Sequence, residues 1–195
     1  MDKLKFQNTV LYLLRRCSPV HPGVTSLLKM LYFADYEHYR QFLTPITGAE
    51  YVALERGPVV NDYKDLFQQL VDEKVVSRHD ATVLGIKEKK LEYRPEQEPD
   101  PSIFSPTEIS VLDDVAAKYG SETGAALSEK THLEGPWSLV WNWRDPGRRI
   151  PYMLFRWLDN LPDESDLAVA RKTLASRPKV LERVKNLDRT QATTT

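Results

Sequence analysis

No stretch constrains this chain more than Val24 to Phe42, VTSLLKMLYFADYEHYRQF. Val24, Leu27, Leu28, Leu31 and Phe42 fall on one stripe at helical spacing. Met30, Phe33, Ala34 and Tyr36 occupy other faces of the same helix. A helix apolar nearly all round is buried all round. No run of about 18 apolar residues occurs, so it is not a membrane span. The expectation is a central helix wrapped by the remaining elements of one domain.

The other elements read as its wrapping. Leu4 to Arg16 repeats apolar residues at Leu4, Leu11 and Leu14, with Val10 and Leu13 widening the stripe, and predicts a first amphipathic helix. Ser18-Pro19 and His21-Pro22-Gly23 make a rigid connection into the central helix, which ends before Pro45. Tyr51 to Leu54 alternates between Gly48 and Gly57 as a short strand. Gly57-Pro58 carries turn chemistry, and Asn61 or Asp62 caps a helix with Tyr63, Leu66, Phe67 and Leu70 on its apolar face. Val75-Val76, Val83 to Ile86 and Leu91 to Tyr93 then read as a meander, with turns at His79-Asp80 and Glu88-Lys89.

Arg94 to Ser102 is a Pro-rich, acidic surface linker. Ser105, Pro106 and Glu108 form a capping-box start, and Ile109, Leu112, Val115 and Ala116 supply the buried face of a helix that Gly120 ends. A short helix from Thr123 to about Lys130 leads into an aromatic region with Trp137, Trp141, Trp143 and Trp157. Asp145-Pro146-Gly147 reads as a turn, and Pro151 as the start of another helix. Residues 161–195 read as a helical extension, interrupted at Arg177-Pro178 and disordered from Thr190. The fold class expected is α+β: a mostly helical domain over residues 1–160 with a small antiparallel sheet inserted after the central helix.

Composition narrows the setting. A length of 195 residues fits one domain with an extension. A net charge of −1 gives no global attraction to nucleic acid or anionic membrane. Cys17 is the only cysteine, so no intrachain disulfide forms and a reducing compartment fits best. Gln7, Asn8, Thr9, Arg15 and Arg16 break any signal-peptide pattern, and the expectation is a cytoplasmic protein.

Three blocks carry a resemblance. LLKMLYFADYEHYR, then PITGAEYVALERGPVV, then THLEGPW followed by RIP, resemble the Panacea or SocA-like antitoxin family in order and spacing, over Leu4 to Tyr152. That family occurs in prokaryotic and phage type II toxin-antitoxin pairs. The resemblance implies a binding protein, not an enzyme, that neutralises a cognate toxin encoded nearby. Some relatives act as adaptors that deliver the toxin to a protease. It implies no cofactor and no metal. The motif positions it transfers are Lys29, Tyr32, Phe33 and Asp35, then Gly57, Pro58 and Val59, then Thr131, His132, Glu134, Pro136 and Trp137. The sequence leaves the oligomeric state open.

Each residue with reactive potential also has a plainer reading. Lys29 is either a nucleophile of lowered pKa or a lysine whose stem packs while its head reaches solvent, and the second is expected. Asp35 is expected to be a partly buried acid paired with a tyrosine hydroxyl, an Arg or a backbone amide. Cys17 reads as a packing residue. Asp35, His38 and His132 would form the core of a metal-dependent hydrolase, but no second His stands at i+4 from His38. His132 is expected to anchor a loop through its two nitrogens, with Trp137 filling the core.

Charge separates two further surfaces. The helix Asp62 to Glu73 with the following strands resembles a winged helix, but Asp62, Asp65, Asp72 and Glu73 outnumber Lys64 and Lys74, which opposes docking to phosphates. Trp141, Trp143, Arg144, Arg148 and Arg149 form the better patch for an alternative role as a nucleic-acid-binding regulator. For toxin contact the expected residues are Tyr32, Tyr36, Glu37, Tyr39, Arg40, Asp62 and Asp65, because acidic groups complement the basic clefts of toxins acting on RNA or nucleotides.

Overall fold

The computed structural model describes residues 1–17, 22–82, 89–133, 135–141 and 147–157. Over these the chain runs α1 (Lys3–Arg16), α2 (Val24–Phe42), β1 (Tyr51–Leu54), β2 (Gly57–Val60), α3 (Tyr63–Asp72), β3 (Val76–Thr82) and β4 (Lys89–Pro95). A 3-10 turn (Pro101–Ile103) precedes α4 (Pro106–Tyr119), α5 (Gly124–Leu133), α6 (Gly135–Trp141) and α7 (Met153–Trp157). The class is α+β, with two separate antiparallel hairpins, β1–β2 and β3–β4, among seven α-helices of the described residues. The expected boundary at residue 160, the extension 161–195, Trp143, Arg144, Val83 to Ile86 and Glu134 lie outside the described residues.

α2 is the axis. Every residue from Ser26 to Asp35 on it is buried, polar ones included. α1, α4, α5, α7 and strands β2 and β4 all pack against it. Leu43 in the left-handed region (φ 62°) ends it, its N–H returning to the Tyr39 carbonyl. Phe33 stacks on Tyr119 of α4 with ring centroids 4.4 Å apart, and Phe67 of α3 lies 6.2 Å from Phe6 and 4.6 Å from Tyr93. Side-chain burial of this kind, more than helix propensity, holds short elements in place.

The capping box at Ser105 forms as read, with Glu108 Oε2 accepting from the Ser105 N–H. Three local readings differ. Gly57 to Val60 is strand β2, and Glu55-Arg56 is the turn, because Gly57 at φ 96° lets the chain reverse one step earlier. His79-Asp80 is the middle of β3, paired with Glu92 and Leu91, so the meander is one long hairpin. Asp62 stands at the start of α3 at φ 53°, but its side chain does not cap; it accepts from Asn61 Nδ2 at 3.0 Å. The linker is also tied down: the Asp100 N–H donates to Asn8 Oδ1 at 2.7 Å, and Arg15 reaches the Gln97 carbonyl at 3.3 Å.

Candidate functional site

The three motif blocks, far apart in sequence, meet at one corner of the molecule. Lys29 is 1% exposed, and its Nζ donates to the Pro58 carbonyl at 2.7 Å. A Cβ built on Gly57 would lie 2.4 Å from Thr131 Oγ1 and 2.7 Å from Lys29 Nζ, so α2, the β1–β2 hairpin and α5 close on a glycine that admits no side chain. Thr131 Oγ1 donates to the Ser128 carbonyl at 2.8 Å. Trp137 on α6 donates its indole N–H to the Leu54 carbonyl at 3.0 Å, and its ring stacks on His132 with centroids 4.1 Å apart. Val59 packs against the core and Pro136 is buried.

Lys29 therefore departs from expectation: its head is inside, not in solvent. Burial pushes its ammonium down to a pKa of about 7. One carbonyl replaces the water that a free lysine would keep. His132 also differs from expectation. Its Nε2 is buried without a hydrogen-bond partner among the described residues, so the ring is held by stacking on Trp137 and not through both nitrogens. Beside this corner, Thr25, Glu55, Arg56, Gly124, Ala125, Ser128 and His132 line an open groove of about 470 Å³.

A second polar cluster sits less than two turns further along α2. Asp35 is fully buried. Its Oδ1 accepts from the Thr47 N–H at 2.7 Å, and its Oδ2 lies 2.5 Å from Thr47 Oγ1, 2.8 Å from Tyr51 Oη and 3.1 Å from Tyr152 Oη. Tyr51 Oη also faces the Leu31 carbonyl at 2.9 Å, and Tyr152 Oη the Ala49 carbonyl at 2.7 Å. Each phenol has one proton for two acceptors. A protonated Asp35 can donate to one phenol and free that phenol's proton for its carbonyl; an ionised Asp35 cannot. Burial raises the Asp35 pKa in the same direction, against the opposing hydrogen bonds. Burial and the facing carboxylate raise both phenols as well. Asp35 is paired with tyrosine and amide as expected, but it is fully rather than partly buried, and its partners Thr47, Tyr51 and Tyr152 come from distant segments.

The residues of the metal reading are dispersed. His38 Nδ1 lies 2.6 Å from the Thr44 carbonyl and Nε2 3.2 Å from Thr107 Oγ1, so both ring nitrogens are engaged away from Asp35. No three His, Cys, Asp or Glu side chains gather in metal-binding geometry among the described residues. Cys17 is buried, which raises its thiol pKa.

Of the residues expected at a toxin interface, Tyr32 is fully buried and presents no side-chain area. Its ring packs edge-on against Tyr51 and Phe155, at 5.3 and 5.5 Å. Tyr36 and Tyr39 are half-buried around Phe155, at 4.9 and 6.3 Å. Arg40, Asp62 and Asp65 are exposed and Glu37 is half-buried. Arg40 pairs with Glu37 at 3.1 Å, and both line an open groove of about 570 Å³ between α2 and α4 with Asp114, Lys118 and Tyr119. In the aromatic-basic region, Trp141 stacks on Trp137 at 5.5 Å and Arg149 pairs with Glu50 at 3.0 Å. The Arg148 carbonyl accepts from the Ala53 N–H at 2.9 Å.

The convergence of these blocks is reflected in comparison with known families. Residues 27–138 match the family described as antitoxin SocA-like, Panacea domain. The chain belongs to this family. The match runs from the first turn of α2 to α6 and so takes in the whole Lys29–Gly57–Thr131 corner of the Panacea domain. No curated protein and no solved structure matches the chain significantly. No helix among the described residues is long and apolar enough to cross a membrane.

Proposed function

We propose that this Panacea domain is a non-enzymatic antitoxin that neutralises one cognate toxin by binding it directly. The observation that carries the reading is that Lys29, Asp35 and Trp137 of the motif blocks are spent inside the protein. Lys29 serves the Pro58 carbonyl, Asp35 serves Thr47 and two tyrosines, and Trp137 serves Leu54. Such groups fix a rigid surface rather than meet a substrate. The surface offered to the toxin is the exposed, net acidic side of α3, with Asp62 and Asp65, and the α2–α4 groove with Glu37 and Arg40. Acidic side chains there suit a basic partner.

The test is co-purification with the protein encoded beside it. A stable complex on size exclusion and relief of that neighbour's growth arrest are expected. Absence of both rejects the reading. Asp62→Lys with Asp65→Lys is expected to weaken the complex at least tenfold, since close charge pairs across an interface couple by roughly 1.5 kcal/mol or more. An unchanged affinity moves the interface to the α2–α4 groove, where Glu37→Lys and Arg40→Glu are the corresponding variants.

A further inference from the structure

We infer that the outer edge of β3 pairs antiparallel with β3 of a second copy of this chain, making a four-stranded sheet across a two-fold axis centred on His79. The hairpin has two strands, so each strand has one side unpaired within it. β4 turns its other side inward, where α1 and α2 pack and Glu92 bridges Gly23. α3 packs on the hairpin through Phe67 against Tyr93. The outer edge of β3 has no backbone partner among the described residues.

Which groups face outward follows from the register. The Glu96 N–H donates to the Val75 carbonyl at 2.9 Å, which makes Val75 and Glu96 a hydrogen-bonded pair. Antiparallel pairs alternate, so Ser77–Arg94 and His79–Glu92 are bonded and Val76–Pro95, Arg78–Tyr93 and Asp80–Leu91 are not. Pro95 agrees: it stands where no N–H is needed. The backbone N–H and C=O of Val76, Arg78, Asp80 and Thr82 therefore point away from β4.

These outward positions choose their own partner. Only registers that pair them with one another are allowed. Centred on Arg78 or on Asp80, the pairing would place Arg against Arg or Asp against Asp. Centred on His79, it places Arg78 of each copy opposite Asp80 of the other, with Val76 opposite Thr82. Both Arg78 and Asp80 are exposed. Charges at an edge ordinarily repel passing strands; this order of charges repels the two adjacent registers, centred on Arg78 and on Asp80, and favours the one centred between them. The contact is small, under the roughly 1,200 Å² of a standard interface, so the dimer is weak and depends on concentration. It does not depend on the toxin.

The experiment is sedimentation velocity of the full chain over a ladder of concentrations. Wild type is expected to move from monomer toward dimer. Arg78→Asp and Asp80→Arg each set like charges opposite twice, and each is expected to weaken association roughly tenfold or more. The double variant Arg78→Asp with Asp80→Arg restores opposite charges and is expected to dimerise like wild type. Amides of residues 78 and 80 should exchange more slowly at high concentration. Monomer at every concentration, a dimer indifferent to the single reversals, or no rescue by the double variant would each overturn the inference. So would loss of toxin binding in the single variants without any change in self-association, which would assign the edge to the toxin.

Discussion

Lys29 and Asp35 lie six positions apart on one helix, both buried, and the protein treats them differently. Lys29 has one carbonyl and tight packing around it; Asp35 has two backbone or side-chain donors from Thr47 and two phenols. Desolvation dominates at both and drives each toward its neutral form. The result is a lysine with a pKa lowered to about 7 at one corner and an acid with a raised pKa at the other. Ionisable groups inside a fold act as geometric pins when hydrogen bonds define them, and as titratable liabilities where a single bond does.

The contrast should show first at the tightest contact. Gly57→Val is expected to be the most damaging single change, of order 4 kcal/mol or more, since positive φ and overpacking against Thr131 and Lys29 add. Urea unfolding, or loss of soluble protein, measures it. Asp35→Ala should follow at roughly 3 kcal/mol, because it orphans the buried N–H and hydroxyl of Thr47. Asp35→Asn should cost far less if the carboxyl is neutral, because the amide can also donate to a phenol. Equal losses for Ala and Asn would mean that the native acid is ionised.

The two groups also predict opposite pH slopes. Lys29 has a folded pKa near 7, below its ordinary 10.5, so the unfolded chain binds the extra proton between these values and stability rises with pH across that window. The gain is on the order of a few kcal/mol. Asp35 is raised, so its contribution is fully present below the ordinary carboxylate range near about 4 and is lost as pH climbs through the folded value. Urea midpoints of wild type against Lys29→Met should diverge above pH 7, and those of wild type against Asp35→Asn in the acid range. Parallel curves would refute the titration in question. Trp137→Phe is the mildest test, expected at about 1 kcal/mol for the indole bond to Leu54.

Legibility followed the range of the interactions. Helix positions came from apolar spacing, and the Ser105 capping box from four adjacent residues. The meander reading met its limit at His79-Asp80, where turn-like composition sits in mid-strand. There, pairing with β4 overrides the local preference. Lys29 misled for a related reason. A lysine on a helix usually reaches water, and nothing within ten residues announces that the Pro58 carbonyl will stand over it. Tyr51 and Tyr152 are unremarkable in sequence and become partners of Asp35 only across 16 and 117 positions.

The sequence by itself determined a helix too apolar to face solvent, the blocks that mark a Panacea domain, and most element boundaries. Those depend on periodicity and on neighbours within a turn or two. Only the tertiary structure decided that Lys29 is inside, that Gly57 is a contact rather than a turn apex, that Tyr32 is core, and which side of β3 is left bare. Burial and hydrogen-bond partnership are set by chain segments that meet in space, and a linear pattern does not encode which segments will meet.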